Sequence, residues 1–129
     1  MPFTVANIEH SVVKFVFTDP VTSNELDKIL GILDCLLDTK KKFSFYIDSR
    51  KANSPPINAT INLIKWLKQN KARMKETLLS SAVVISSSFA SNFLKHVFTV
   101  QPMDSPNLIT TNYDEAKRFV SDINKKKGL

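Results

Sequence analysis

Uninterrupted apolar runs constrain the fold of this chain most, because they stand between stretches with helical spacing. FSFYI at residues 43–47 and AVVI at residues 82–85 contain almost no polar breaks. Runs of this kind predict strands that are covered on both faces. Strands that alternate with helices need crossover connections, and such connections predict parallel pairing. We therefore expect one sheet with helices packed on it.

The N-terminal part differs, because two strands are predicted there without a helix between them. Residues 3–8 and 11–18 alternate between apolar and polar positions, and their short connection predicts an antiparallel hairpin. Apolar side chains at spacings of three and four predict helices at residues 22–37, 57–71, 89–98 and 112–124. Together with a short strand at residues 108–110, the order is β-β-α-β-α-β-α-β-α. The predicted fold is α/β, with a single mixed sheet of about five strands and four helices.

Length and charge bound the domain and its partners. A chain of 129 residues is long enough for one core, so residues 1–124 are expected to form one domain, with a basic tail at 125–129. The net charge of +6 favours acidic partners. The lysines occur at residues 40–42, 65–75 and 125–127, and such runs also occur as solvated helix ends that complement the helix dipole.

Location is constrained by the absence of long apolar runs and by the cysteine content. No run approaches the roughly 18 residues that a membrane span needs. The N-terminus MPFTVANIEH lacks the pattern of a secretory signal. The single cysteine, Cys35, excludes an internal disulfide and suits a reducing compartment. These features predict a cytoplasmic protein.

Polar side chains follow three predicted strands. The chain continues as Asp48-Ser49-Arg50 after one strand, as Ser86-Ser87-Ser88 after the next, and as Thr110-Thr111-Asn112 after the last. The carboxyl ends of parallel strands meet at one edge, where ligands usually bind. An anion or a partner's carboxylate is one interpretation of this edge. The alternative is that Ser87, Ser88 and Asn112 simply cap helices.

The second helix offers a different candidate, Trp66. On a helical wheel it lies far from the centre of a stripe formed by Ile57, Ile61, Ile64 and Leu67, and lysines flank it. An exposed tryptophan in such a position could anchor a protein partner, stack on a base or lie at a membrane interface. The alternative is that a neighbouring helix or the tail covers it.

Catalytic motifs are not found. Asp48 is the only carboxylate in its loop, and neither His10 nor His96 has a metal-ligand partner at helical or turn spacing. The two glycines, Gly31 and Gly128, do not follow strands, so no phosphate-binding loop is present. We therefore expect a non-enzymatic protein without a cofactor or a metal.

Ser54 stands before two prolines, at the start of the second helix. Serine at the N-cap with proline at the next position is a favoured helix start. A phosphate on Ser54 would instead meet the positive end of the helix dipole, with Arg50 and Lys51 nearby. Both interpretations stay open.

The element order, the strand that ends in Asp48, the segment SSAVVISS and the segment TTNYDEAKRFV together resemble the STAS domain family. This family includes the bacterial anti-sigma factor antagonists and the SpoIIAA-like proteins. In phosphorylated members the loop after the third strand leads into Asp-Ser-Ser-Gly. Here the corresponding residues are Ala52-Asn53-Ser54-Pro55. The segments FSFYIDSR, LLSSAVVISS and PMDSPNLITTN also resemble small STAS-like proteins of large eukaryotic DNA viruses.

Three functions follow as hypotheses. The resemblance implies a non-catalytic module that binds a protein partner through Asp48, Ser49, Arg50 and the second helix, with phosphorylation of Ser54 or Ser49 as a switch. The second hypothesis is a small structural protein that self-assembles, for example within a virus particle. A weaker alternative is a binder of anions, nucleotides or phospholipid headgroups. Nucleic acid is not an expected partner, because one aromatic residue among lysines forms no recognised binding module.

Overall fold

A computed structural model describes residues 3–9, 11–17, 23–50, 57–85 and 105–127. The described elements, in chain order, are β1 (Phe3–Glu9), β2 (Val12–Phe17), α1 (Ser23–Asp38), β3 (Phe43–Asp48), α2 (Ile57–Gln69), α3 (Lys71–Thr77), β4 (Leu78–Val84), β5 (Asn107–Thr110) and α4 (Tyr113–Lys126). The predicted helix at residues 89–98 lies outside the described residues. None of the helices in the described ranges is long and apolar enough to cross a membrane.

The strands form one sheet in the order β1-β2-β3-β4-β5. The four strands from β2 to β5 are parallel to one another. The first strand, β1, pairs with β2 in the antiparallel direction. The predicted α/β class, with one sheet of parallel strands and helices packed on it, is confirmed. Because the parallel strands are added in chain order and crossovers share one hand, α1 and α2 lie on the same face of the sheet.

The central strand β3 contributes to two cores, one on each face of the sheet. Phe43 and Phe45 face α1 and pack with Val13 and Phe15 of β2. Tyr46 faces the other way, where α4 covers the sheet, and packs in a cluster with Val12, Ala82, Val84, Ala116 and Val120. Coverage on both faces is the physical reason for the continuous apolar run that the sequence shows at β3.

The first helix packs as its sequence pattern predicts. Four of its apolar side chains at helical spacing are buried: Ile29, Leu30, Leu33 and Leu37. After the helix ends at Asp38, Lys40 adopts a left-handed conformation with φ of 58°. The Lys40 amide donates to the Leu37 carbonyl, and the Thr39 hydroxyl donates to the Leu36 carbonyl at 2.7 Å. These bonds satisfy carbonyls that the helix end would leave without partners.

The second helix is rotated relative to the sequence prediction. Ile61 was expected to face inward, yet it is 48% exposed. The buried side keeps Leu67 from the predicted stripe and adds Leu63 and Trp66, which pack against the core around α1. Trp66 brings the larger apolar area, and its Nε1 donates to Asp34 Oδ1 at 3.2 Å. Burying the indole with its polar nitrogen satisfied therefore outweighs burying Ile61.

The predicted helix at 57–71 ends at Gln69 as α2, and an unpredicted helix, α3, follows the turn at Asn70. The Asn70 side chain donates to the Trp66 carbonyl at 2.9 Å, and α3 begins at the next residue. Arg73 of α3 then reaches α1, donating to the carboxylate of Asp34 at 3.2 Å and to that of Asp38 at 2.6 Å. Helix α3 is thereby attached to the end of α1 by its polar groups.

A buried polar network attaches α4 to the sheet. The Ser44 hydroxyl donates to Asn124 Oδ1, the Ser80 hydroxyl donates to Ser44 Oγ at 2.7 Å, and Asn124 Nδ2 donates to the Ser11 carbonyl at 3.1 Å. The helix continues to Lys126, so the first residues of the expected tail at 125–129 are helical. Lysines in the last turn interact favourably with the helix dipole and stabilise the helix, which explains why the basic run extends it.

Candidate functional site

The carboxyl end of β3 carries a bidentate ion pair. Arg50 Nε donates to Asp48 Oδ1 at 2.9 Å, and Arg50 Nη2 donates to Asp48 Oδ2 at 2.7 Å. The Asp48 side chain is 12% exposed and that of Arg50 is 47% exposed. The guanidinium of Arg50 is therefore half exposed to solvent, while the carboxylate that holds it is nearly buried.

The ion pair shifts both titrations in the direction that favours the charged forms. The hydrogen bond from the Arg50 side chain lowers the pKa of Asp48 below its ordinary value, although burial acts in the opposite direction. The charge of Lys14 lowers it further. The same hydrogen bond raises the pKa of Arg50. Asp48 is therefore a carboxylate at neutral pH with both oxygens engaged, which makes it a weak general base.

Tyr113, the first residue of α4, lies between two cations. Lys14 Nζ donates to the Tyr113 hydroxyl at 2.5 Å, and it also lies 4.6 Å from the ring centroid. The Arg50 guanidinium carbon lies 5.0 Å from the same centroid. Tyr46 packs edge-on against the ring, and the two hydroxyl oxygens are 3.4 Å apart. We refer to Lys14, Tyr46, Asp48, Arg50 and Tyr113 as the strand-end cluster.

Neighbouring cations determine the acidity of Tyr113. Burial raises the pKa of its phenol, but the hydrogen bond from Lys14 and the hydrogen bond with Tyr46 lower it. The charges of Lys14 and Lys117 also lower it, and the net pKa lies below the ordinary tyrosine value. The phenol is therefore polarised as a hydrogen-bond acceptor, and the cluster as a whole offers cationic and aromatic groups to a ligand.

Ser49 connects the site to the neighbouring strand. Its amide donates to the Val84 carbonyl at 2.9 Å, and its hydroxyl donates to the same oxygen at 2.7 Å. The carbonyl at the end of β4 thus receives two bonds from one residue. The Ser49 hydroxyl has a structural role here, and a phosphate on it would break the bond that orients it.

Asn112 caps α4. The sequence offered this capping role and a ligand-binding role for it. Its Oδ1 accepts from the Glu115 amide at 3.0 Å, and its own amide donates to Thr110 Oγ at 3.0 Å. Asp114 and Glu115 stand in the first turn of the helix, where their charge suits the dipole. The cap holds Tyr113 in its position beside Arg50.

Of the residues that sequence patterns single out, four share this edge: Asp48, Ser49, Arg50 and Asn112. Trp66 of α2 lies on the face of the sheet that α1 covers. It is half-buried against α1, so it is not the exposed anchor that one interpretation expected. Ser54, Ser87 and Ser88 lie outside the described residues, as do His10 and His96.

Sequence reasoning did not select Lys14, Tyr46 or Tyr113. One signal was available for Lys14, because it is the only charged residue in the strand VVKFVF and alternates with the buried Val13 and Phe15. Alternation places Lys14 on the α4 face. Tyr113 had no such signal, since its position beside Arg50 depends on where α4 crosses the sheet.

Two solved structures resemble the chain over nearly its whole length. An uncharacterized protein of the DUF3478 family from Shewanella loihica PV-4, which has a SpoIIAA-like fold, matches 92% of this chain and 93% of its own with a TM-score of 0.66 and 10% identity. The anti-sigma factor antagonist SpoIIAA in its unphosphorylated form matches 98% and 99% with a TM-score of 0.60 and 9% identity. The chain has a SpoIIAA-like fold.

The sequence comparisons do not assign the chain to a family. No family model matches the chain. No curated protein matches it either. The expected resemblance to STAS-like proteins is confirmed at the level of the fold, and the comparisons lend no support to a viral origin.

Proposed function

We propose that this protein is a non-catalytic, STAS-type module that binds a protein partner through the strand-end cluster. One support is the match over 98% of the chain to a protein named as an anti-sigma factor antagonist, which acts against another protein. The other support is the composition of the cluster, because arginine and tyrosine are enriched among the residues that dominate binding energy in protein interfaces.

The observation that carries the proposal is the fixed position of Arg50. Two bonds to Asp48 and the ring of Tyr113 hold the guanidinium, while 47% of the side chain stays exposed. A side chain held in place before binding loses less conformational entropy when a partner arrives. Among the described residues the Arg50 side chain donates through Nε and Nη2, both to Asp48, and we propose that Nη1 donates to the partner.

The partner surface that fits this cluster carries an acceptor beside an apolar or aromatic group. Arg50 donates to a carboxylate or carbonyl oxygen, and the half-exposed edge of Tyr113 gives apolar contact. Lys14 adds positive charge behind the ring. An acidic segment on the partner is therefore the preferred contact.

Affinity purification with matched variants tests this function. Wild-type protein, Arg50→Ala and Arg118→Ala would be used as baits in extracts of the source cells, followed by mass spectrometry. Arg118 is exposed on α4 and outside the cluster, so its variant controls for loss of one positive charge. We expect a protein that wild type and Arg118→Ala retain and that Arg50→Ala loses by tenfold or more, since a truncated hot spot costs roughly 2 kcal/mol. Equal recovery by all three baits would contradict a role of the cluster.

Self-assembly is the competing proposal, and light scattering separates it from partner binding. In the described residues, Ile61 is the one large apolar side chain that is exposed. A stable self-assembled interface needs a larger apolar core. We expect a monomer whose mass does not change with concentration. A mass that rises with concentration, and falls in Ile61→Asp, would favour assembly.

Phosphorylation at Ser54 stays a proposal for regulation of this partner binding. A phosphate on Ser54 would add negative charge to the segment between Arg50 and α2. Incubation with kinases of the source cell, comparing wild type with Ser54→Ala and Ser49→Ala, measures phosphate incorporation. Equal incorporation in all three proteins would remove the switch.

A further inference from the structure

Lysines from three separate segments meet at the end of the molecule opposite the strand-end cluster. They are exposed and lie at the amino ends of the parallel strands: Lys40, Lys41, Lys42, Lys71, Lys75, Lys125, Lys126 and Lys127. We call these eight residues the basic face. They are scattered in the sequence, so their convergence is a consequence of the fold.

The first two segments are connected through Ser11, which precedes β2. The Ser11 carbonyl accepts from the Ser44 amide at 2.7 Å and from Asn124 Nδ2 at 3.1 Å. Lys42 directly precedes β3, one residue before Phe43, and Lys125 directly follows Asn124. The lysines before β3 and the lysines that end α4 therefore lie at the same end of the sheet, on either side of it.

The third segment, α3, reaches the same end through α1 and β4. Arg73 donates to Asp38, the last residue of α1, at 2.6 Å. Thr77 ends α3 directly before β4, whose first residue, Leu78, pairs with Phe43 of β3. Lys71 and Lys75 thus lie near the lysines at 40–42.

Few described carboxylates offset this charge. Asp38 is engaged by Arg73, and Asp34 accepts from both Arg73 and Trp66. The other described acidic residues near this end are Glu76 on α3, Asp122 in the second half of α4 and Glu9, whose backbone pairs with Val12. The basic face therefore keeps a clear excess of positive charge, and its lysines extend into solvent across the α1 side, the sheet and the α4 side.

We propose that the basic face binds peripherally to a membrane surface rich in anionic lipid. A cluster of four to eight lysines attracts an anionic leaflet with a strength that corresponds to about fivefold in affinity for each lysine near the surface. The charge is spread over three layers of the fold, which matches a planar partner. Because the strand-end cluster lies at the opposite end, a protein docked on the lipid would still present Arg50 to its partner.

Other polyanions fit the basic face less well. Protein interfaces deplete lysine at their centres and use aromatic or arginine anchors, and none of the eight residues is of those types. Binding of single-stranded nucleic acid uses aromatic side chains on which bases stack. Arginine reads bases in duplexes, and Arg73, the described arginine at this end, is engaged by Asp34 and Asp38.

Vesicle co-sedimentation tests the proposal. The purified 129-residue chain would be mixed with vesicles of phosphatidylcholine alone and with vesicles that also contain phosphatidylserine, at low and at physiological salt. We expect binding only to the anionic vesicles, weakened by salt. The variant K125Q/K126Q/K127Q should bind about 100-fold more weakly, following the value per lysine. The control K28Q/K117Q/R118Q removes the same charge from the second turns of α1 and α4 and should bind almost as wild type.

Three results would overturn the inference. If the protein binds neither kind of vesicle at low salt, a lipid partner is excluded. Equal losses in the two triple variants show that net charge, and not this face, is responsible. Tighter binding to a duplex or single-stranded oligonucleotide than to the anionic vesicles assigns the face to nucleic acid. Because Arg50→Ala should bind vesicles normally, failure of this proposal is distinguishable from failure of the proposed function.

Discussion

Tyr113 shows how one aromatic ring can organise two cations that are distant in sequence. Lys14 donates to its hydroxyl at 2.5 Å, and the Arg50 guanidinium lies over its ring at 5.0 Å. Each cation gains from the electron-rich face of the ring, and Arg50 is also neutralised by Asp48. The position of Arg50 therefore depends on Tyr113 as well as on its ion pair.

The first prediction concerns the titration of Tyr113. Its folded-state pKa is lowered, so in the alkaline range below about 10, the ordinary tyrosine value, the folded state binds fewer protons than the unfolded state. Stability from this group therefore rises as the pH increases through that range. Lys14→Met should raise the pKa of Tyr113. Phenolate absorbance measures it, and because the chain has two tyrosines, Tyr113→Phe identifies the step. An unchanged titration in Lys14→Met would contradict the assigned cause.

The second prediction concerns the backbone of Lys40. A residue other than glycine is strained at the φ of 58° that Lys40 adopts. Lys40→Gly should therefore stabilise the fold by about 1 kcal/mol. Lys41→Gly is the control, since it removes the same charge from the neighbouring residue without relieving a positive φ. Urea denaturation compares them, and a gain of equal size in both variants would attribute the effect to charge.

At the scale of elements, α2 shows that the widest apolar stripe of a helix need not be its buried face. The stripe from Ile57 to Leu67 is regular, but Trp66 packs against α1 with its nitrogen bonded to Asp34. Asp34 also accepts from Arg73, so one carboxylate of α1 connects α2 and α3. The orientation of α2 is decided by its partners.

The third prediction compares a buried and an exposed member of the predicted apolar stripe of α2. Leu67 is 6% exposed and Ile61 is 48% exposed. Leu67→Ala should lower the free energy of unfolding by roughly 2–4 kcal/mol. Ile61→Ala should cost less than about 1 kcal/mol, because its side chain is already half in water. Equal losses of unfolding free energy in the two variants, measured by chemical denaturation, would contradict the exposed position of Ile61.

The fourth prediction tests the attachment of α4. Asn124→Ala removes the acceptor of the buried Ser44 hydroxyl and the donor to the Ser11 carbonyl. Burying polar groups without partners should cost about 1–3 kcal/mol. Asp122→Ala, on the exposed side of the same helix, should change stability by less than about 0.5 kcal/mol. Thermal denaturation measures both, and similar melting temperatures would show that the network contributes little.

At the scale of the whole molecule, the two ends of the sheet carry different chemistry. The carboxyl end holds acid and base in direct contact, as in Asp48 with Arg50. The amino end collects exposed lysines from the connection between α1 and β3, from α3 and from the end of α4. The parallel direction of four strands produces this separation, because all their beginnings share one edge and all their ends share the other.

The fifth prediction concerns the acid stability of the whole domain. The pKa of Asp48 is lowered on folding, so its contribution is complete above the unfolded pKa and is lost as the pH falls through the folded pKa. Asp48→Asn should lower stability at neutral pH by about 1 kcal/mol, a value discounted because Arg50 is half-exposed. It should also weaken the acid dependence. Unfolding curves at several acidic pH values measure this, and parallel curves for wild type and variant would contradict it.

Local patterns predicted those parts of the fold and site whose causes lie close together in sequence. The buried stripe of α1 and the cap from Asn112 to Glu115 depend on residues within a few turns of one another. The strand that ends in Asp48 was located by its apolar run. The turn at Asn70 and helix α3 were not predicted, because they depend on contacts between Arg73 and the distant Asp34 and Asp38.

The sequence by itself determined the α/β class, the parallel direction of the strands joined by helices, and the edge at which Asp48, Ser49 and Arg50 lie, because periodicity and crossover geometry are local properties. Only the tertiary structure decided which face of α2 is buried, that Tyr113 and Lys14 complete the site around Arg50, and that separate lysine runs form one face. Those arrangements arise from packing between elements far apart in the chain, where the burial of one side chain competes with that of another.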